Sequence, residues 1–297
     1  MISFREETRL AAQRLIEMAF EEDLQDVGDL TSQATIIGEQ QGSVAIVARD
    51  DGRLSGGVLI RLVYEALATR YPGDVAVEDL LPDGSALESG TVIARLNGPV
   101  SALLTGERTA LNFLIHMSGI ASLTSQFVQN AGNTGVAILD TRKTLPGYRR
   151  LQKYAVLCGG GVNHRMGLYD GMLIKDNHLA ACGGSVARAV EQARTFLREE
   201  GRGEIPVEVE VDTLDQLRDA LTAHPEIVLL DNMRPAELQS AVSIRNELSP
   251  ETQLEASGGV NLQTIGCIAG SGVDRVSIGG LTHSAVALDI GYDWQTR

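Results

Sequence analysis

The sequence predicts an α/β fold with a parallel sheet, in which strands alternate with helices. From residue 136 onward there are short apolar runs with helical segments between most of them, at residues 136–141, 171–177, 206–212, 227–232, 253–259 and 275–280. Nearly every run ends in a polar or glycine cluster, and α/β barrels assemble their active sites at that end of their strands. Six runs rather than eight predict a small or irregular barrel, with a doubly wound open sheet as the alternative.

The chain before residue 136 has a different pattern. Residues 7–20 are predicted to form a helix whose buried face lies near Leu10, Leu15, Met18 and Ala19. Two strands and a long helix follow, at residues 43–49, 92–96 and 101–130. Residues 81–98 also look like the hairpin of a biotinyl-type carrier, which attaches its cofactor to a lysine. No lysine precedes Lys143, so a carrier function is excluded for this hairpin.

Composition excludes several classes of protein. The formal net charge is -14, and such a surface repels nucleic acid and anionic membranes. No stretch approaches the ~18 apolar residues of a membrane span, and the charged N-terminal residues do not read as a secretory signal. The 3 cysteines fit neither a disulfide framework nor a CxxC metal site. We therefore expect a cytoplasmic protein with no nucleic-acid or membrane partner.

One segment reverses this acidic balance. Residues 142–175 contain a single acid, Asp170, and seven cations: Arg142, Lys143, Arg149, Arg150, Lys153, Arg165 and Lys175. These include every lysine of the chain. A solvated basic helix face is one interpretation. The more specific interpretation is a positively charged pocket that binds a small, highly charged anion.

Four of the apolar runs end in groups suited to anions. Arg142 and Lys143 follow the first run, and His164 and Arg165 follow three glycines that allow close backbone approach. Lys175 ends the second run, where its stem can lie on apolar surface or its amine can form a Schiff base, as in lysine-dependent aldolases. Late in the chain, Ser257, Gly258, Gly259 and Gly279 end the last two runs, where barrels often bind phosphate.

Carboxylates end the middle runs. In residues 206–212 valines alternate with Glu208, Glu210 and Asp212, so the carboxylates are predicted to point into a barrel. Asp231 ends the next run with the same geometry. Glu210 and Asp231 are candidates for binding ribose hydroxyls and Mg²⁺, a hard ion that takes carboxylates together with substrate phosphates.

In this order, the motifs resemble those of the quinolinate phosphoribosyltransferase family (carboxylating nicotinate-nucleotide pyrophosphorylases). The resemblance covers nearly the whole chain, and its motifs are EEDLQDVGDLTS, ERTALNFL, DTRKT, GGGVNHR, LIKDNH, EVEVDT, LLDNM, EASGGV and SIGGLTHS. It implies an irregular six- to seven-stranded α/β barrel plus an N-terminal α/β sandwich domain. The implied boundaries are 1–116, joined by 285–297, for the sandwich and 117–284 for the barrel that carries the active site.

The resemblance also implies a reaction. Phosphoribosyl pyrophosphate and quinolinate would give nicotinate mononucleotide, CO₂ and diphosphate in de novo NAD biosynthesis, with Mg²⁺ as cofactor. The residues implied around the dicarboxylate are Arg108, Arg142, His164, Arg165 and Lys175. Those implied for phosphoribosyl pyrophosphate and Mg²⁺ are Lys143, Glu210 and Asp231, which with Lys175 form the implied catalytic set. Those implied toward phosphate are Ser257, Gly258, Gly259, Gly279 and His283.

The resemblance further implies a homodimer in which Arg108 reaches the neighbouring subunit's site. Two rival interpretations remain at this point. One is a paralogue with another acceptor, such as nicotinate, or with a molybdenum-associated function. The other is a lysine-dependent aldolase that uses Lys175.

Overall fold

The computed structural model describes residues 2–70, 73–181, 183 and 185–295, and it divides the chain into two compact units. The first unit takes the residues up to Ser125, Thr144–Gly160 and the residues from Leu281 onward. The second takes Gln126–Lys143 and Gly161–Gly280. The sequence placed 144–160 in the barrel domain, whereas in this division the segment belongs with the first unit.

The elements follow one another as helices and strands numbered in chain order. Up to the end of the long helix they are α1 (Glu6–Leu24), α2 (Leu30–Thr35), β1 (Gln41–Ala48), β2 (Gly52–Arg53), α3 (Gly57–Ala68), β3 (Ala76–Glu78), β4 (Ala86–Leu87), β5 (Val92–Pro99) and α4 (Val100–Ala131). Beyond a 3₁₀ turn at Gly132–Thr134 they are β6 (Ala137–Leu139), α5 (Arg149–Cys158), β7 (Met172–Ile174), α6 (Asp176–Ala181), α7 (Val186–Glu199), β8 (Val207–Val211), α8 (Leu214–Thr222), β9 (Ile227–Asp231), α9 (Pro235–Leu248), β10 (Gln253–Ser257), α10 (Ile265–Ala269), β11 (Arg275–Ser277), α11 (Gly280–His283) and β12 (Ile290–Trp294).

Within the described residues, the first unit contains a four-stranded antiparallel sheet in the order β12-β1-β5-β3. Strand β1 is central, since Val44 lies opposite Leu96 of β5 and opposite Trp294 of β12. The apolar helix α3 supplies core residues such as Leu59 and Val63, which are fully buried.

The predicted first helix is present, but its predicted buried face is wrong. The residues of α1 that are buried lie on the stripe Ala12, Ile16, Phe20 and Leu24, at intervals of four residues. Leu10 and Met18 are 48% and 56% exposed. Helix α1 carries apolar residues on more than one face, so periodicity alone did not identify the face that packs.

Within the described part of the second unit, all strands of the sheet run parallel, in the order β6-β11-β10-β9-β8-β7. The six predicted strands are confirmed. A doubly wound sheet would place its first strand in the interior, whereas β6 is at one end of this order. An isolated parallel bridge from Leu139 to Val162 continues the pairing beyond β6. The strand order is therefore that of an irregular α/β barrel.

Helices alternate with these strands because the local sequence caps and buries them. Ser185 caps α7, whose Val186, Val190 and Leu197 are buried. Thr213 and Gln216 form a reciprocal capping box at the start of α8. On the strands, the valines of β8 are at most 1% exposed. None of the helices in the described ranges is long and apolar enough to cross a bilayer.

Candidate active site

The predicted site residues of the second unit lie at the carboxyl edge of its sheet. Arg142 and Lys143 come shortly after β6, and Lys175 comes directly after β7. Asp231 is the last residue of β9 and lies opposite Ser257, the last residue of β10. Because the strands are parallel, their carboxyl ends share one edge, where barrel enzymes position reactive groups.

Lys175 forms an ion pair with Glu210. Strand β7 pairs with β8 so that Ile174 lies opposite Val209, which brings the following residues of both strands together. The Lys175 Nζ donates a hydrogen bond to Glu210 Oε2. The lysine side chain is 44% exposed and the glutamate side chain 13%. The ammonium therefore reaches solvent beside a largely covered carboxylate.

Two guanidinium groups lie within electrostatic reach of each other. Arg142 is exposed, while Arg165 is partly buried and donates from Nη1 to the Gly171 carbonyl at 2.9 Å. Burial lowers the pKa of Arg165, and the positive charge of Arg142 lowers it further. Because like charges repel, a bound anion would stabilise this pair.

His164 is held by three buried carboxylates from three strands. Its backbone N–H donates to Oδ1 of Asp140, which follows β6, at 2.9 Å. Its Nε2 lies 3.1 Å from Oε2 of Glu208 in β8 and 3.4 Å from Oε1 of Glu255 in β10. Its Nδ1 accepts the backbone N–H of Arg165 at 2.7 Å. Both ring nitrogens therefore contact protein groups.

This cluster contains almost no exposed charge. The Glu208 and Glu255 side chains are 4% and 0% exposed, and Arg275 donates to Glu255 Oε2 at 2.7 Å. Among the described residues, Oε1 of Glu208 makes no hydrogen bond. Oε1 of Glu255 also makes none, and it lies 3.4 Å from Nε2 of His164 as an ion contact.

His164 binds its proton more tightly than a free histidine side chain does. Burial alone would lower the pKa of His164, but its contacts with the carboxylates of Glu208 and Glu255 outweigh this effect and raise the pKa to about 9. Burial also raises the pKa of Glu208. The Arg165 N–H is directed at Nδ1, which favours a proton on the side of Nε2 and Glu208.

Two sets of residues have the composition of metal ligands. Among the described residues, His164, Glu208 and Glu255 place their ligand atoms within 4.8 Å of one another. In that set, Nε2 of His164 already lies between the two carboxylates, and the guanidinium of Arg275 already pairs with Glu255. Glu210 and Asp231 instead offer carboxylate oxygens on neighbouring strands at the edge of the sheet, which suits Mg²⁺ better.

Asn232 connects Asp231 with the β10 loop. It has a left-handed backbone, with φ 54°, and its side-chain amide donates to Asp231 Oδ2 at 2.6 Å. Its backbone N–H donates to the Ser257 carbonyl at 2.9 Å. Its Oδ1 packs against Gly258, where no β-carbon would fit. The Asp231 carboxylate and the loop after β10 are thus fixed by one residue.

The other predicted residues are more dispersed. Gly259 has φ 62°, with open space where a β-carbon would be, and Gly279 follows β11. The backbone N–H of Lys143 donates to Thr141 Oγ1 at 3.0 Å. Arg108 on α4 and His283 are exposed residues of the first unit.

The seven cations of residues 142–175 are divided between the units. Arg149, Arg150 and Lys153 lie on α5 in the first unit, where Arg150 pairs with Glu7 at 2.6 Å and Lys153 is fully buried. The second unit contains the other four. Each unit therefore contains fewer of these cations than the run of seven in the sequence suggests.

Sequence reasoning missed several groups of the site. It identified Glu208 only as an inward carboxylate without a partner. It did not single out Asp140, Glu255, Arg275 or Asn232. An acid between Leu254 and Ala256, in the middle of an apolar run, is the signal by which Glu255 could have been found.

Comparison with known proteins covers both units. Residues 29–118 match the model of the quinolinate phosphoribosyl transferase N-terminal domain, and residues 120–293 match that of its C-terminal domain. A probable carboxylating nicotinate-nucleotide pyrophosphorylase of Bacillus subtilis (strain 168) is 42% identical over 96% of this chain and 93% of its own length. The carboxylating enzyme of Mycobacterium leprae (strain TN) is 44% identical over 95% and 97%. The nicotinate-nucleotide pyrophosphorylase structure from Francisella tularensis superposes with a TM-score of 0.88 at 36% identity, covering 96% of each chain.

Proposed function

Since the chain belongs to the quinolinate phosphoribosyltransferase family, we propose that the groups at the carboxyl edge of its sheet carry out that family's reaction. The chain transfers phosphoribosyl from phosphoribosyl pyrophosphate to quinolinate with decarboxylation. The products are nicotinate mononucleotide, CO₂ and diphosphate, in NAD biosynthesis.

The observation that carries the assignment of residues is the pair of guanidinium groups at Arg142 and Arg165. Quinolinate has two adjacent carboxylates, and its negative charge would offset the burial and the repulsion from Arg142 that together lower the pKa of Arg165. Lys175 adds a partly exposed ammonium at the same edge of the sheet. We assign these three cations to the dicarboxylate, with His164 beside them.

The second substrate needs groups for ribose, phosphate and diphosphate. Glu210 and Asp231 would hold Mg²⁺ together with substrate oxygens, and Lys143 would contact the diphosphate. Glycines that allow close backbone approach suit the phosphate, and the residues assigned to it are Ser257, Gly258, Gly259, Gly279 and His283. When bound, the metal ion would neutralise charge that develops on the departing diphosphate.

The reaction requires no protein nucleophile. The pyridine nitrogen attacks C1 of the ribose as diphosphate leaves, and cations near the site stabilise the charge of the transition state. The carboxylate at C2 then leaves as CO₂, and the electron pair of the broken bond stays on C2, where the adjacent cationic ring nitrogen stabilises it until C2 takes up a proton from solvent. The chain's own residues bind and orient the two anions and exclude water between them.

We further propose a homodimer in the cytoplasm. Arg108 is exposed on α4 and is assigned to the dicarboxylate of the neighbouring subunit. Among the described residues, Cys158 and Cys267 are free, the first buried and the second exposed, which supports the cytoplasmic assignment.

Incubation with quinolinate, phosphoribosyl pyrophosphate and Mg²⁺ tests the function directly. We expect nicotinate mononucleotide and CO₂ in equal amounts. Turnover of nicotinate but not of quinolinate would overturn the substrate assignment. Trapping of a carbonyl substrate on Lys175 by borohydride would favour an aldolase instead.

A further inference from the structure

Two buried acids, Glu208 and Glu255, both contact the ring of His164. Glu208 and Glu255 come from β8 and β10, which are not neighbours in the sheet, yet both approach the same ring nitrogen. Each has an Oε1 without a hydrogen bond in the described part of the chain. A buried carboxylate that lacks a hydrogen bond usually makes a protein less stable than an apolar side chain of similar volume would. Such a group therefore calls for an explanation, and a role in function is a common one.

The contacts of His164 leave its ring little freedom. Rotation about its side-chain bonds would remove Nε2 from Glu208 and Glu255 and Nδ1 from the Arg165 N–H. The backbone N–H of His164 is fixed independently by Asp140. The ring therefore connects the interior of the sheet with the backbone of the residue that carries the Arg165 guanidinium.

We propose that Glu208 and Glu255 are positioning residues for the pyridine dicarboxylate. They hold the His164 ring with its N–H at Nε2, and the ring in turn holds the Arg165 backbone where its guanidinium faces the substrate carboxylates. The proposal rests on the proposed function for its substrate, but the arrangement of the ring stands independently of it. Arg275 supports Glu255 through its bond to Oε2.

Kinetics of Glu208→Gln and Glu255→Gln test the positioning role. Each variant keeps the shape of the side chain and loses the charge that fixes the ring. We expect the KM for quinolinate to rise about tenfold, with the KM for phosphoribosyl pyrophosphate unchanged within about twofold. Equal rises in both values, or no rise in either, would overturn the proposal.

Glu226→Gln is the matched control. Glu226 is an acid just before β9 that pairs with Arg194 at 2.7 Å and accepts the Val207 N–H at 2.9 Å, both distant in sequence from His164. Replacing this carboxylate by a neutral amide tests whether the loss of any acidic charge in the second unit weakens quinolinate binding. We expect neither KM to change.

Nitrogen NMR of the protein without substrate supplies a test that does not depend on turnover. The chain has 5 histidines, and comparison with His164→Gln identifies the signals of His164. We expect a slowly exchanging N–H on Nε2 without any substrate, because Nε2 lies against the carboxylates of Glu208 and Glu255. A ring that exchanges its N–H as fast as an exposed histidine overturns the proposal. A fixed ring in a protein that does not turn over quinolinate overturns only the proposed function.

Discussion

Asn232 and Gly258 pack so closely that a β-carbon at residue 258 would lie 2.1 Å from Asn232 Oδ1. The two residues belong to loops that follow different strands, and Asn232 also donates to Asp231. A change at Gly258 therefore alters the surroundings of the Asp231 carboxylate.

Gly258→Ala should disturb this contact, and Gly259→Ala is its control. Both glycines have positive φ, 91° and 62°, but open space surrounds a β-carbon at 259. We expect Gly259→Ala to cost about 1 kcal/mol of unfolding free energy from backbone strain. Gly258→Ala should cost about 2 kcal/mol or more, because it adds overpacking. Chemical denaturation measures both effects, and equal losses of unfolding free energy in the two variants would contradict the steric argument.

Removing Lys175 should affect activity more than stability. The ion pair with Glu210 is half exposed on the lysine side, so a double-mutant cycle of Lys175→Met and Glu210→Gln should give a coupling of about 1 kcal/mol or less in unfolding free energy. Activity with quinolinate should fall more than about tenfold in Lys175→Met, because a substrate carboxylate loses its cation. A variant that is unstable but fully active per folded molecule would remove Lys175 from the site.

Stability should fall at alkaline pH because of His164. Its pKa is raised to about 9 in the folded protein, above the ordinary value of 6.5, so the folded protein binds this proton more tightly than the unfolded chain. The contribution is complete below about pH 6.5 and is lost as the pH rises through about 9, and it is on the order of 3 kcal/mol at most.

Denaturation curves between about pH 6 and pH 10 measure this effect. Other groups titrate in the same range, so the informative quantity is the difference between wild type and Glu255→Gln. The variant lacks one of the carboxylates that raise the pKa, and we expect its stability to depend less on pH. Parallel curves for the two proteins would mean that His164 does not hold the proton.

Mixed dimers test the assignment of Arg108. Arg108→Ala and Lys175→Ala should each be inactive alone. Mixed in equal amounts with exchange of subunits, they should regain about a quarter of wild-type activity, because half of the dimers are mixed and each mixed dimer has one intact site. Native mass spectrometry confirms the mixing, and inactive mixed dimers would rule out a shared site.

Asp29 should stabilise the first unit through the start of α2. It accepts hydrogen bonds from the Ser32 N–H at 3.0 Å and from Thr105 Oγ1 at 3.1 Å. Burial opposes ionisation, but the hydrogen bonds, chiefly those of Ser32, lower the pKa of Asp29 below 3.8. Its contribution is therefore present above about pH 4 and is lost as the pH falls. Asp29→Ala should lower the free energy of unfolding by about 1 kcal/mol, and Asp29→Asn should lower it by less. Chemical denaturation of the two variants and the wild type measures both changes.

Local patterns predicted the strands well because each is a short apolar run bounded by turn residues. Strand β8 is an example, since its valines and acids alternate as the pleat requires. The buried face of α1 was not predicted, because helix α1 has apolar residues on several faces and the choice depends on what packs against it. The same holds for 144–160, whose place in the first unit depends on contacts distant in sequence.

The position of Lys175 at a strand end was predicted, because it depends on the sequence of one strand. A lysine after an apolar strand requires a partner, and Glu210 provides it for Lys175. The environment of His164 was not predicted, because it depends on three strands that are each separated by dozens of residues. Sequence periodicity indicates which way Glu208 points, but not which side chain from another strand it meets.

The position of β1 between β5 and β12 has a consequence during translation. Residues 290–294 complete the sheet of the first unit, yet they leave the ribosome long after β1, β3 and β5. Until then β1 has an unpaired edge, of the kind that invites association between nascent chains. Cellular yield of this protein should therefore depend on chaperones that protect a partly made sheet, and slower elongation should increase that dependence.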